Sequence, residues 1–394
     1  MAVSAAPLPM APPEPAARAA ATPWTLYAAL FGATSIAVGV EWDISWHKTI
    51  GRDTLWTPAH LAIYLGGIVA GAAGGWRVLR TTFGRDAPAR AASVRFWGFR
   101  GPLGAWACIW GAFAMVTSAP FDDWWHNAYG LDVKILSPPH TVLALGIVAI
   151  LLGALFLAAS HQNRGGGPDD VHRSRLLFAY AAGLLVEAAA IMTTEFTHRV
   201  YMHGSLFYRV VCAVFPFFIV AGARASALRW PATTITAVYS AVRLSMVWLL
   251  PLFPAEPRLG PIFQDIDHMV PLDFPLLLIV PAAALDVALR RGRDSGRAGR
   301  RAIVLGAAFF ATFVPAQWVF ADFLQSPASA NWIFATDNHF YGMPPDAYAA
   351  RRLYVPTDAD ARAALAGMAV ALLLAVASAR LGLWWGAWMA RVRR

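Results

Sequence analysis

The sequence predicts an all-α fold: a polytopic membrane bundle of about ten transmembrane helices, with both ends of the chain on the cytoplasmic side. Three observations carry this. Of the 394 residues, 58% are hydrophobic and only 14% charged, a balance far from that of a soluble domain. The apolar residues fall in stretches of about 20, the length that crosses the hydrocarbon core of a bilayer. Most of the basic residues gather in alternate connecting segments, as the positive-inside rule requires.

The spans lie near 24–42, 56–76, 101–119, 138–160, 174–194, 204–224, 232–250, 270–289, 302–322 and 363–384. Unpaired backbone groups are costly in lipid, so each reads as a helix. Strand-type alternation is absent, which argues against an outer-membrane barrel. Residues 1–23 are rich in Ala and Pro and lack the charged-then-apolar layout of a signal peptide, so they read as a short disordered cytoplasmic tail. The basic runs Arg77 to Arg100, Arg290 to Arg301 and Arg391, Arg393 and Arg394 mark cytoplasmic loops and the C-terminal tail of a bacterial inner-membrane protein. We assign them to topology rather than to nucleic-acid binding. Residues 24–289 form an eight-helix core. The segment 290–301, RRGRDSGRAGRR, is a basic cytoplasmic linker. Residues 302–394 add two helices and a long outer-face loop, 323–361. Cys108 and Cys212 fall within spans and form neither a disulfide framework nor a paired-cysteine metal clip.

Two segments say nearly the same thing. Residues 41–60 read EWDISWHKTIGRDTLWTPAH and residues 121–140 read FDDWWHNAYGLDVKILSPPH. The first carries Asp43, His47, Gly51, Asp53, Pro58 and His60. The second carries Asp122, His126, Gly130, Asp132, Pro138 and His140, with one residue inserted before the Ser. Asp and His at i, i+4 share one face of a helix. The Gly lets the chain turn. Thr57-Pro58 and Ser137-Pro138 then give an N-cap followed by Pro at the first helical position. His60 and His140 sit in that first turn. Each helical hairpin thus offers two imidazoles and a carboxylate near the outer interface, and the two hairpins form a parallel repeat, unlike the inverted repeats of many transporters.

Two nitrogens and an oxygen suit copper, zinc, iron or nickel. Three protein ligands leave open positions, the layout of a reactive site. Asp53 and Asp132 are candidates to fix the ligand imidazoles by hydrogen bonds, and Asp123 is a further candidate beside Asp122. Trp46, Trp124 and Trp125 read as interface aromatics. Eight of the ten histidines map to the outer side: His47, His60, His126, His140, His198, His203, His268 and His339. Glu195, Asp265, Asp267 and Asp337 each lie within three residues of one of them, and Glu195, His198 and His203 make an additional candidate group. Within the spans, Glu187, Arg209 and Arg243 stand out. Charges there face a partner or a cavity, so the expectation is a Glu187–Arg243 or a Glu187–Arg209 pair.

At the two motifs the chain, over about residues 24–160, resembles the C subunit of the copper membrane monooxygenases, the methane and ammonia oxidisers. That subunit has one site of the form Asp-x3-His-x12-His and one of the form Asn-x3-His-x13-His. Asp43, His47 and His60 match the first spacing, and His126 and His140 match the second. Asp122 stands where the family has Asn. The resemblance implies copper and oxidation of a small apolar substrate with dioxygen, with partner subunits or a homo-oligomer in the bilayer.

Alternative readings are a non-catalytic protein that binds or handles metal on the periplasmic side, with zinc or iron in place of copper, and haem ligation by His60 and His140. No hydrolase motif, phosphate loop or dinucleotide fingerprint is present.

Overall fold

The computed structural model describes residues 23–51, 53–130, 137–165, 168–258, 266–291, 298–336 and 358–394. It is an all-α bundle of α1 (Trp24–Thr49), α2 (Pro58–Phe83), α3 (Ala87–Ala91), α4 (Leu103–Tyr129), α5 (Pro138–Arg164), α6 (Pro168–Met192), α7 (Thr194–Thr197), α8 (Ser205–Ala225), α9 (Pro231–Leu249), α10 (Ile279–Arg291), α11 (Ala298–Leu324) and α12 (Ala361–Met389). One small antiparallel ribbon, β1 (Val94–Phe96) and β2 (Phe99–Gly101), links α3 to α4 and pairs Val94 with Gly101. Among the described residues, nine of these helices are long and apolar enough to cross a membrane. Residues 1–22, 131–136, 292–297 and 337–357 lie outside the described set. With them go the readings of the N-terminal tail, Asp132, most of the basic linker, Asp337 and His339. Asp265 also lies outside it.

Side-chain contacts fix which helix ends meet. The end of α1 and the start of α2 share the first motif, and the end of α4 and the start of α5 flank the second. His203, just before α8, lies 3.1 Å from Asp322 near the end of α11, and Trp248 at the end of α9 donates to the Ile333 carbonyl. At the opposite end, Gln162 of α5 donates to the Ala225 carbonyl at the end of α8, and Asn163 donates to the Met389 carbonyl at the end of α12 and to the Val392 carbonyl just beyond it. One end of the bundle therefore carries both motifs with His198, His203 and His268, and the other carries the arginine-rich connections.

The repeat extends into the packing. A Cβ on Gly32 would lie 2.6 Å from the Gly66 carbonyl oxygen, and a Cβ on Gly111 would lie 2.7 Å from that of Gly146. Gly32 and Gly111 each stand eleven residues before the motif Asp, and Gly66 and Gly146 each stand six after the second His. Ile36 then packs on Gly66 as Met115 packs on Gly146. Apolar helices gain little from association in lipid beyond close contact, so small residues at the crossing set how near the helices come.

The eighth expected span, 270–289, is not a continuous helix. Residues 268–278 are non-helical and only α10 is helical. The segment still runs beside the whole of α9. His268 bridges to Pro254 beyond the end of α9, and Arg290 donates to the Arg229 carbonyl ahead of its start. Non-helical backbone at membrane depth survives only where protein satisfies it. Here the Tyr239 hydroxyl accepts from the Leu276 N–H, Gln317 Oε1 from the Leu277 N–H, and Thr49 Oγ1 from the Val270 N–H. The last two helices are not set apart from the core: Gly382 and Gly386 of α12 press against the α8 backbone, and Gly306 of α11 presses against α12 at Val376. Trp46 is half-buried against a small cluster of Met246, Leu250 and Met269.

Gly111→Val is expected to push α4 away from α5, at about 1–3 kcal/mol for overpacking. It should lower the thermal midpoint and the metal content of detergent-purified protein. Gly75→Ala, where an added Cβ meets nothing within 4 Å, should leave both unchanged.

Candidate metal centre

In the first hairpin, α1 runs past Asp43 and His47 and ends at Thr49. Gly51 takes a left-handed φ of 84°, which turns the chain back toward α2. Thr57 occupies the N-cap position without a side-chain cap bond; its Oγ1 accepts from the Thr54 N–H instead and tightens the loop. The loop delivers two groups. The Thr54 carbonyl lies 2.8 Å from His60 Nδ1, and the Asp53 carboxylate reaches the site. His60 Nε2 is 3.1 Å from Asp43 Oδ1 and 3.3 Å from Asp53 Oδ2.

Ligand atoms of Asp43, Asp53 and His60 lie within 4.8 Å of one another. His47 stands at the edge, 3.5 Å from Asp53 and 3.9 Å from Asp43, with half of its side chain exposed. Asp53, expected only to orient an imidazole, is thus one of three groups that converge, and His47 is less central than its spacing implied. The His47 imidazole beside it holds the Asp53 carboxyl below its ordinary value.

The second hairpin repeats this with one carboxylate. Gly130, at a φ of 89°, ends α4. Ser137 caps α5 by accepting from the His140 N–H itself, which fixes the start of that turn. Asp122 spans the two imidazoles: Oδ2 is 3.3 Å from His126 Nε2 and Oδ1 is 3.3 Å from His140 Nε2. His126 Nδ1 lies 3.3 Å from the Gly130 carbonyl. These three groups again lie within 4.8 Å of one another. Asp123 is exposed and accepts from Asn127 instead. Trp124, Trp125 and Tyr129 form an aromatic cluster beside this site. Gly67 and Gly71 of α2 pack against Met115 and Ala112 of α4, so the two hairpins are neighbours.

The donors at both sites fit a bound cation. Asp43 Oδ1 and Asp122 Oδ1 are buried and accept no hydrogen bond of acceptable geometry, although an imidazole nitrogen stands close to each. A carbonyl can only accept, so Nδ1 of His60 carries the proton toward Thr54. Nε2 of His60 faces two carboxylate oxygens, which calls for positive charge there, supplied by a second imidazole proton or by a bound cation. Ligand atoms about 2.0–2.1 Å from a tetrahedral ion stand roughly 3.3 Å apart, close to the carboxylate–imidazole separations at both sites. Backbone carbonyls behind ligand imidazoles are the usual device for fixing ring orientation.

The third candidate group does not converge. His198 lies 3.4 Å from Asp273, His203 lies 3.1 Å from Asp322, and Glu195 is exposed. Asp273 favours the charged form of His198, but burial and the nearby Arg199 and Lys48 outweigh it and hold the imidazole below its ordinary value.

Of the two intramembrane pairings expected for Glu187, Arg243 is the one formed, at 2.5 Å, while Arg209 is exposed on α8. Glu41 completes the cluster, 3.7 Å from Arg243. All three side chains are buried, and neither Glu41 oxygen accepts a hydrogen bond. Sequence reasoning missed Glu41, although a lone acid two residues before the motif Asp was a readable signal. On α1, Glu41 faces α6 and α9 while Asp43 faces α2, so Arg243 holds the helix that carries the first site.

Arg243→Met strands two buried carboxylates and is expected to destabilise the protein by about 3–5 kcal/mol, read as a large fall in thermal midpoint. The triple variant Glu41→Gln, Glu187→Gln, Arg243→Met should recover most of that loss. Compared with known proteins, the chain matches no family model, no curated protein and no solved structure.

Proposed function

We propose that this is a bacterial inner-membrane metalloprotein whose two hairpins each bind a metal ion, copper by preference, at the outer end of the bundle, and that it is a monooxygenase-like oxidoreductase acting on a small apolar substrate with dioxygen. The observation that supports metal binding most directly is the pair of buried carboxylate oxygens, Asp43 Oδ1 and Asp122 Oδ1, that face imidazole nitrogens without hydrogen bonding. Asp43, Asp53 and His60 would hold one ion and Asp122, His126 and His140 the other, with His47 available at the edge of the first. Copper when bound would supply one-electron chemistry toward dioxygen. A monooxygenase places one oxygen atom in the substrate and the other in water, and takes two electrons and two protons from a donor outside this chain.

The chain's own residues would bind and orient. The Thr54 and Gly130 carbonyls set the imidazole planes, Ser137 fixes the turn that carries His140, and the apolar helix faces admit a substrate that partitions into lipid. The motif spacings, similar to those of the copper membrane monooxygenase C subunit, support copper and this reaction class. Asp122 in place of Asn makes the second site more anionic. Partial exposure of His47, His126 and His140 favours a second reading, a non-catalytic site that accepts metal, zinc or iron included, from the periplasmic side.

Elemental analysis of purified protein is expected to find about two metal ions per chain. His60→Ala should remove one and His140→Ala the other, while His47→Ala weakens the first site without abolishing it. Metal near zero in the wild type, or unchanged in all three variants, contradicts metal binding. Metal present without dioxygen-dependent oxidation of a small hydrocarbon or ammonia, with an electron donor supplied, favours the acceptor reading.

A further inference from the structure

At the arginine-bearing end, opposite the motif hairpins, a cavity of about 480 Å³ opens between the end of α8, the connection into α9, the end of α10 and the first turn of α11. That volume falls in the range of small-molecule sites. Four arginines line it: Arg224, Arg229, Arg290 and Arg301. Among the described residues, arginine–carboxylate pairs involve only Arg199 and Arg243, so none of the four is neutralised in this way.

Among the described residues, the cavity contains one acid, Asp286, and it is already engaged. It is buried, Oδ1 accepts from the Ala232 N–H at 3.0 Å, and Oδ2 accepts from the Thr233 N–H and hydroxyl at 2.9 and 2.8 Å. Its charge serves the start of α9, not the guanidiniums.

One of the arginines is also held in place. The Arg290 guanidinium stacks 3.6 Å over the Trp230 ring and donates to the Arg229 carbonyl, which fixes its plane. Arg301 sits in the first turn of α11, where the helix end adds positive potential and disfavours a cation. Arginines that served only to orient the chain in the membrane would spread into water. Here four converge on one hollow, and two of them, Arg290 and Arg301, are partly buried. Planar guanidiniums with free N–H edges match the paired oxygens of a phosphate group, and basic pockets between membrane helices are suited to anionic headgroups.

We propose that this cavity binds a phosphate-bearing anion, supplied by an anionic lipid headgroup or by a soluble phosphate compound. The inference is independent of the metal sites. Its test uses the full-length protein in detergent with two probes, phosphatidylglycerol followed by native mass spectrometry and inorganic pyrophosphate followed by calorimetry, with phosphatidylcholine as the neutral control. The wild type is expected to bind at least one anionic probe in preference to the control. Arg229→Gln with Arg301→Gln should bind it about tenfold or more weakly, and Arg229→Lys with Arg301→Lys, which keeps the charge but loses the fork, should fall between the wild type and the Gln variant. Thermal midpoint without ligand reports folding, and Arg301→Gln alone replaces the double variant if that variant melts early. Binding of phosphatidylglycerol but not pyrophosphate assigns a lipid headgroup; the reverse assigns a soluble ligand. Binding of neither probe, or equal binding by the wild type and the Gln variants, overturns the proposal.

Discussion

Backbone contact between glycines sets the geometry on which both motif hairpins depend. Gly32 meets Gly66 and Gly111 meets Gly146, each pair at the same offset from its motif Asp and second His. A side chain at any of these positions would separate the helices by the width of a methyl group or more. Asp43 and Asp122 sit on the outgoing helix of each hairpin and His60 and His140 on the returning one. The 3.1–3.3 Å carboxylate–imidazole separations therefore follow from helix spacing several turns away. The glycine turns at Gly51 and Gly130 complete the device by returning the chain within a few residues.

A second constraint acts across the bundle. The non-helical segment 268–278 leaves backbone donors at membrane depth, and Thr49, Tyr239 and Gln317 accept from them. Close by, Arg243 joins α9 to Glu187 on α6 and Glu41 on α1. Polar contacts in lipid are costly to leave unmade, so these fix α1 in rotation. Glu41 and Asp43, two positions apart on that helix, face nearly opposite directions. The same rotation that clamps Glu41 to the core turns Asp43 and His47 toward α2.

Much of this was legible in the sequence, for physical reasons. Nine spans announced themselves because a helix in lipid needs about 20 apolar residues. The duplicated motif was visible because Asp and His at i, i+4 and Pro at a helix start are local signals. The broken crossing was not visible: its residues are as apolar as a helical span, and what satisfies the non-helical backbone of 268–278 is a set of acceptors from three distant helices. Asp53 was placed behind the imidazoles because loop residues have no period from which to read direction; only the folded turn brings its carboxylate to His60. His198 and His203 looked like one group in sequence, yet a kinked connection sends them to Asp273 and Asp322. Glu41 and the glycine offsets were readable and overlooked, the first because it lacks a counterpart in the second copy, the second because glycine carries no side-chain chemistry.

The account rests on cations held between these carboxylates and imidazoles. Anomalous diffraction from crystals of the purified, copper-supplemented protein, recorded on both sides of the copper absorption edge, tests it most directly. The account predicts two edge-dependent peaks, one among Asp43, Asp53 and His60 and one among Asp122, His126 and His140. Ordered side chains at both places with no anomalous signal, the imidazoles instead bonded directly to the carboxylates as ion pairs, would contradict it.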